Sequence, residues 1–129
     1  MTCLLDTHVF LWWIGPYERL SVKARQAVSG SGEVYVSAVN IWELAIKSRI
    51  GRLAIADDFR TRITAELDAN DFQVLPVELE HTLAVHDLPA HPEHKDPFDR
   101  LLAAQSLVEQ LPLVSKDGVF DDYGVERLW

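Results

Sequence analysis

Short apolar runs alternate with helix-length segments along this chain, and that alternation most constrains its fold. Cys3-Leu4-Leu5 is an apolar run that stops at Asp6, and it reads as a buried strand. Glu33-Val34-Tyr35-Val36-Ser37 alternates in a β-rich pattern. Phe72-Gln73-Val74-Leu75 ends at Pro76, Pro112-Leu113-Val114-Ser115 forms a fourth run, and Val125-Glu126-Arg127-Leu128 a short fifth. The intervening segments predict helices over residues 9–14, 21–29, 38–49, 57–69 and 78–86, with a loop over 91–95. A last long helix runs to about residue 110 and opens on Asp96-Pro97-Phe98-Asp99, with Asp at the cap and Pro in the first turn. Ser37 can cap the helix that Gly51 closes. Strands separated in this way call for an α/β fold: a parallel sheet of four or five strands with helices on both faces.

The chain is 129 residues long, which suits a single domain over residues 1–129. No apolar run reaches the ~18 residues of a membrane span. The start lacks the basic region and small-residue cleavage site of a secretory signal. One cysteine, Cys3, excludes an internal disulfide and multi-cysteine metal sites, and fits a reducing, cytoplasmic setting. Twelve basic side chains against twenty acidic ones leave a net charge of −8. A chain that held nucleic acid by phosphate neutralisation alone should be basic. If this one binds nucleic acid, a divalent metal held by carboxylates is the obvious source of positive charge.

In open α/β sheets, ligands sit outside the carboxyl ends of the strands. Asp6 follows the first strand and Asp117 the fourth. Glu43 is on the helix leaving the second strand, and Asp99 is in the first turn of the last helix. Parallel strands would bring all four to one edge. Each acid also has a plainer reading. Asp6 can cap a helix, Glu43 can pair with an arginine, Asp99 can favour a helix dipole, and Asp117 can sit in a turn with Gly118. Together they are more specific, because converging carboxylates repel unless protonated or bridged by cations. Oxygen-only ligands suit Mg²⁺ or Mn²⁺, which can bind a phosphate oxygen and activate a water.

Four stretches resemble PIN-domain ribonucleases, specifically VapC-type toxins of bacterial toxin–antitoxin pairs. They are Leu4-Leu5-Asp6-Thr7-His8, Val36-Ser37-Ala38-Val39-Asn40-Ile41-Trp42-Glu43, His94-Lys95-Asp96-Pro97-Phe98-Asp99-Arg100-Leu101-Leu102-Ala103-Ala104-Gln105, and Leu113-Val114-Ser115-Lys116-Asp117. The Asp-Pro-Phe-Asp-Arg block is the most specific. The resemblance implies an α/β/α sandwich, Mg²⁺- or Mn²⁺-dependent cleavage of RNA, a cognate antitoxin and a homodimer. It carries the metal and catalytic roles onto Asp6, Glu43, Asp99 and Asp117. Thr7, Ser37, Asp96, Arg100 and Ser115 are second-shell or substrate-contact candidates. His8 stands where relatives often have a small polar residue.

Other features read more plainly. His81, His86, His91 and His94 read as surface or helix-end histidines rather than a zinc site. Trp12, Trp13, Trp42 and Trp129 read as packing residues. Lys47, Arg49 and Arg52 form either a solvated helix end or a basic rim for RNA. Arg100 can pair with Asp96 or Glu43, or contact phosphate. A small-phosphate hydrolase is the enzymatic alternative, but position 8 is His where such enzymes want a second Asp. A non-catalytic interaction module, its acids serving as caps, is the other.

Overall fold

At the centre of the sheet runs β1 (Thr2–Leu5), in which Cys3, Leu4 and Leu5 have no solvent exposure. A strand covered on both faces reads as a continuous apolar run, which is what the sequence carries. The computed structural model describes residues 1–51, 58–94 and 96–129. In chain order β1 is followed by α1 (Thr7–Ile14), α2 (Val22–Gly30), β2 (Glu33–Ser37), α3 (Ala38–Arg49) and α4 (Phe59–Ala69). Then come β3 (Gln73–Leu75), α5 (Leu79–Asp87), α6 (Pro97–Glu109), β4 (Leu113–Val114) and β5 (Arg127–Leu128). The five strands are parallel, in the order β3-β2-β1-β4-β5.

Successive side chains of a strand point to opposite faces, and the core divides accordingly. Cys3, Leu5, Val34 and Val36 pack with Phe10, Ala24, Ile63 and Phe72 on one face. Leu4 and Leu113 pack with Leu102, Ala103 and Phe120 on the other. The α/β reading of the sequence therefore holds, with helices on both faces.

The differences are at boundaries. Helix α1 starts at Thr7 rather than residue 9, because the Asp6 side chain caps it directly, accepting from the Thr7 N–H at 2.7 Å. Strand β3 starts at Gln73 rather than residue 72. Asp71 takes a left-handed φ of 55° and the Phe72 N–H donates to Leu67 O, so the chain is still leaving α4 there. Residues Gly118–Tyr123 form a 3-10 turn that the sequence reading did not foresee, and it buries Phe120 and Tyr123. The expected helix start at residue 57, together with Arg52 and Lys95, lies outside the described residues. Among the described residues no helix is long and apolar enough to cross a membrane.

Candidate active site

The chain runs from β1 outward through β2 to β3 and then crosses back to β4 on the other side of β1, and this reversal opens a crevice at the carboxyl ends of β1 and β4. A cleft of about 230 Å³ occupies it, lined by Asp6, Glu43, Asp99 and Asp117 together with Asp96, Thr7 and Lys47. His8 and Leu11 complete the lining.

Asp6 is 4% exposed. Its Oδ1 accepts from the Thr7 N–H, and its Oδ2 accepts from the Ser115 hydroxyl at 2.6 Å. Ser115 Oγ in turn accepts from the Asp117 N–H at 3.0 Å, so the exits of β1 and β4 are tied together. Burial pushes the Asp6 carboxyl above its ordinary pKa. His8 and the two hydrogen bonds pull it partly back, and the Glu43 charge pushes it up again.

Glu43 is held by its own side of the crevice. The Thr7 hydroxyl donates to its Oε1 at 2.6 Å, and the Asn40 amide donates to that hydroxyl at 2.9 Å. Its Oε2 lies 2.8 Å from the Lys47 ammonium. Asp99 has a different partner: His94 Nε2 lies 2.9 Å from its Oδ2, and His94 Nδ1 lies 2.6 Å from the Tyr123 hydroxyl. Burial above all raises the Asp99 carboxyl to about 7. His94 opposes the shift, while the charges of Asp6 and Asp96 add to it.

The other candidates divide. Asp117 and Asp96 are exposed and act as caps, accepting from the Val119 N–H at 3.0 Å and from the Phe98 and Asp99 N–H groups at 2.9 and 3.2 Å. Thr7 and Ser115 are buried and touch the carboxylates directly. Ser37 does not line the cleft. It is wholly buried, caps α3 and donates its hydroxyl to Gln105 Oε1.

Arg100 reaches neither Asp96 nor Glu43. It donates to Pro89 O and the Tyr123 hydroxyl and lies 5.3 Å from the Tyr123 ring centroid, because that aromatic face is the nearer partner for a delocalised cation. His81 is not a surface residue: at 1% exposure it accepts from the Glu78 N–H and closes the start of α5. Trp42 is 55% exposed, with its ring edge-on to Phe98 at 4.7 Å, whereas Trp12 packs beside Trp129 as expected.

The four acids share a cleft, but among the described residues no three acidic, histidine or cysteine side chains are gathered closely enough to hold one ion together. The partners explain the spacing. Like charges separate where other donors are on offer, and Ser115, Thr7, Lys47 and His94 each claim a carboxylate. The donor set is nonetheless chemically suited to a hard divalent cation, since five carboxylates line the cleft beside the Thr7 hydroxyl and a single imidazole, His8. Sequence reasoning missed Asn40 and His94. Asn40 carried a signal, sitting three residues after Ser37 where a capping box places a side chain that bonds back to the cap. His94 carried none, because its contact with Asp99 depends on how the preceding loop returns.

The PIN domain family model matches residues 3–126. Ribonuclease VapC22 of Mycobacterium tuberculosis is 31% identical over 117 residues, which span 90% of this chain and 87% of the relative. Among solved structures, VapBC2 from Rickettsia felis bound to a promoter DNA fragment aligns over all of both chains, with a TM-score of 0.71 at 14% identity. VapBC-5 from Mycobacterium tuberculosis, a member of the VapBC family of toxin–antitoxin systems, aligns over 98% of this chain and 94% of its own, with a TM-score of 0.61 at 24% identity.

Proposed function

This chain belongs to the PIN-domain family, and from that premise we propose that it is a metal-dependent endoribonuclease serving as the toxin of a toxin–antitoxin pair. One observation supports the reading above the rest. Four carboxylates from four separate parts of the sequence line a single cleft, and burial raises the pKa of two of them, Asp6 and Asp99. Buried acids gathered in this way repel unless they are protonated or bridged by a cation, and a divalent ion fits their chemistry.

Asp6 and Asp99 are the principal ligands in this reading, with Glu43 and Asp117 beside them, and Mg²⁺ or Mn²⁺ is the ion. When bound, such an ion supplies a Lewis acid for a phosphate oxygen and a more acidic water. The chain's own residues prepare the ground. Ser115 fixes one oxygen of Asp6, Thr7 and Asn40 fix one oxygen of Glu43, and His94 with Tyr123 fixes Asp99. Lys47 supplies the cleft with a cation near the approaching phosphate. Water attacks directly, and no side chain forms a covalent bond to the RNA.

Residues 1–129 act as one nuclease unit, and the single buried thiol of Cys3 suits the reducing cytoplasm. Trp42 and Ile46 are exposed one turn apart on α3 and Ile50 is exposed just past its end, with Phe98 against Trp42. An amphipathic helix of the cognate antitoxin would cover this face. A homodimer accompanies the toxin role.

Incubation of the purified chain with single-stranded RNA tests the activity. Chelator should abolish cleavage, and Mg²⁺ or Mn²⁺ should restore it. Cleavage that persists at full rate in chelator, or wild-type protein that cuts no RNA with either ion, would overturn the reading.

A further inference from the structure

Beside the acid cleft lies a second concavity of contrasting chemistry. It encloses about 370 Å³, and its described lining is Ala90, His91, Pro92, His94 and Arg100. That volume falls in the range of small-molecule sites. None of these lining residues is acidic, whereas five acids line the cleft. The two concavities meet at His94, which lines the pocket while its Nε2 sits 2.9 Å from Asp99. Consecutive residues of α6 also divide between them, Asp99 lining the cleft and Arg100 the pocket.

The pocket walls are held in place. Arg100 is fixed by Pro89 O and by the hydroxyl and ring of Tyr123. His94 is fixed between Tyr123 and Asp99, and His91 Nε2 lies 3.1 Å from Asp122. The His91 and His94 rings stand 5.9 Å apart and nearly perpendicular, so they form a corner of flat π surfaces.

Unpaired RNA bases are recognised by stacking on aromatic rings, histidine included, and on arginine planes, with hydrogen bonds to their edges. A strand with one phosphate at Asp6 and Asp99 must pass its flanking nucleotide over the adjoining surface. On a chain of net charge −8, a neighbouring pocket whose described lining holds Arg100 and two histidines and no acidic residue offers that nucleotide a less repulsive surface than the cleft. We propose that the pocket formed by Ala90, His91, Pro92, His94 and Arg100 seats one nucleobase of the RNA immediately beside the scissile phosphate. The proposal rests on the nuclease reading above and adds to it a site of base selection.

The probe is a synthetic single-stranded RNA that the wild type cuts at one bond with Mn²⁺, remade with an abasic site at each position flanking that bond. One abasic position should raise KM for the wild type roughly tenfold or more. His91→Ala should raise KM for the intact RNA by a similar factor, and should no longer distinguish intact RNA from RNA abasic at that position. His91→Phe, which keeps a flat ring, should restore the discrimination. A wild type that cleaves but ignores every abasic substitution overturns the proposal and leaves the nuclease reading standing. So does a His91→Ala chain as sensitive to the missing base as the wild type, or one that loses only binding to the antitoxin. A wild type that cleaves no RNA overturns the nuclease reading itself. If His91→Ala does not fold, the wild-type abasic series and His91→Phe decide the matter.

Discussion

Asp6 is the residue at which structure and chemistry meet. It ends β1, caps α1 and lies almost wholly buried, with its pKa raised first by burial. Asparagine keeps the acceptor for the Thr7 N–H and removes the charge. Asp6→Asn should therefore abolish RNA cleavage while the metal-free chain melts at the same or a higher temperature. If the acid were only a structural partner, the change would cost roughly 1–3 kcal/mol. Lost stability with intact cleavage would contradict the assignment. Asp99 gives a pH signature. Its carboxyl holds a proton up to about pH 7 when folded, against an ordinary value of 3.8. Between those values the folded chain binds more protons than the unfolded one, so metal-free stability should fall as pH rises through that window. Asp6 adds a slope of the same sign. Denaturant titrations in chelator should show the decline, and Asp99→Asn should reduce it; an undiminished slope would contradict the cause given. Asp6 and Asp99 were legible in the sequence because each sits at a grammatical mark, the end of an apolar run and the first turn after Asp96-Pro97. Arg100 was not, since its partner Tyr123 lies in a 3-10 turn that no periodicity announces.

Helix α3 shows how an element carries a site without every residue on it being functional. Ser37 caps it and bonds Gln105 of α6, Asn40 reaches back to the Ser37 N–H at 2.8 Å, and Glu43 follows one turn later in the cleft. Removing a serine cap costs about 1 kcal/mol, and stranding a buried amide costs about 1–3 kcal/mol more. Ser37→Ala should thus lower the melting temperature while cleavage per folded molecule stays unchanged. A fall in kcat without a fall in stability would instead give Ser37 a role at the substrate. Helix ends of this kind were readable from capping chemistry at Ser37 and Asp96. The start of β3 was not, because a left-handed Asp71 delays it and nothing local distinguishes that conformation from an early strand.

Across the whole molecule, strand spacing made a parallel α/β sheet legible, because strands separated by helices must cross over. The order β3-β2-β1-β4-β5 was not legible, since no apolar pattern says on which side of β1 a later strand pairs. That order is what opens the crevice. The charge balance sets another test. Lys47 is the single lysine or arginine among the described residues lining the cleft. Each neutralised phosphate of single-stranded nucleic acid contributes about 0.7 to the salt slope of binding. RNA affinity should therefore fall with monovalent salt by only about one or two contacts' worth. A slope of many contacts would point to a basic surface rather than a metal cleft. The most direct measurement is anomalous diffraction from crystals grown with Mn²⁺. A manganese peak should appear in the cleft, touching carboxylate oxygens of Asp6 and Asp99 drawn in from their present partners. Manganese bound only elsewhere, with those two carboxylates still on Ser115 and His94, would contradict it.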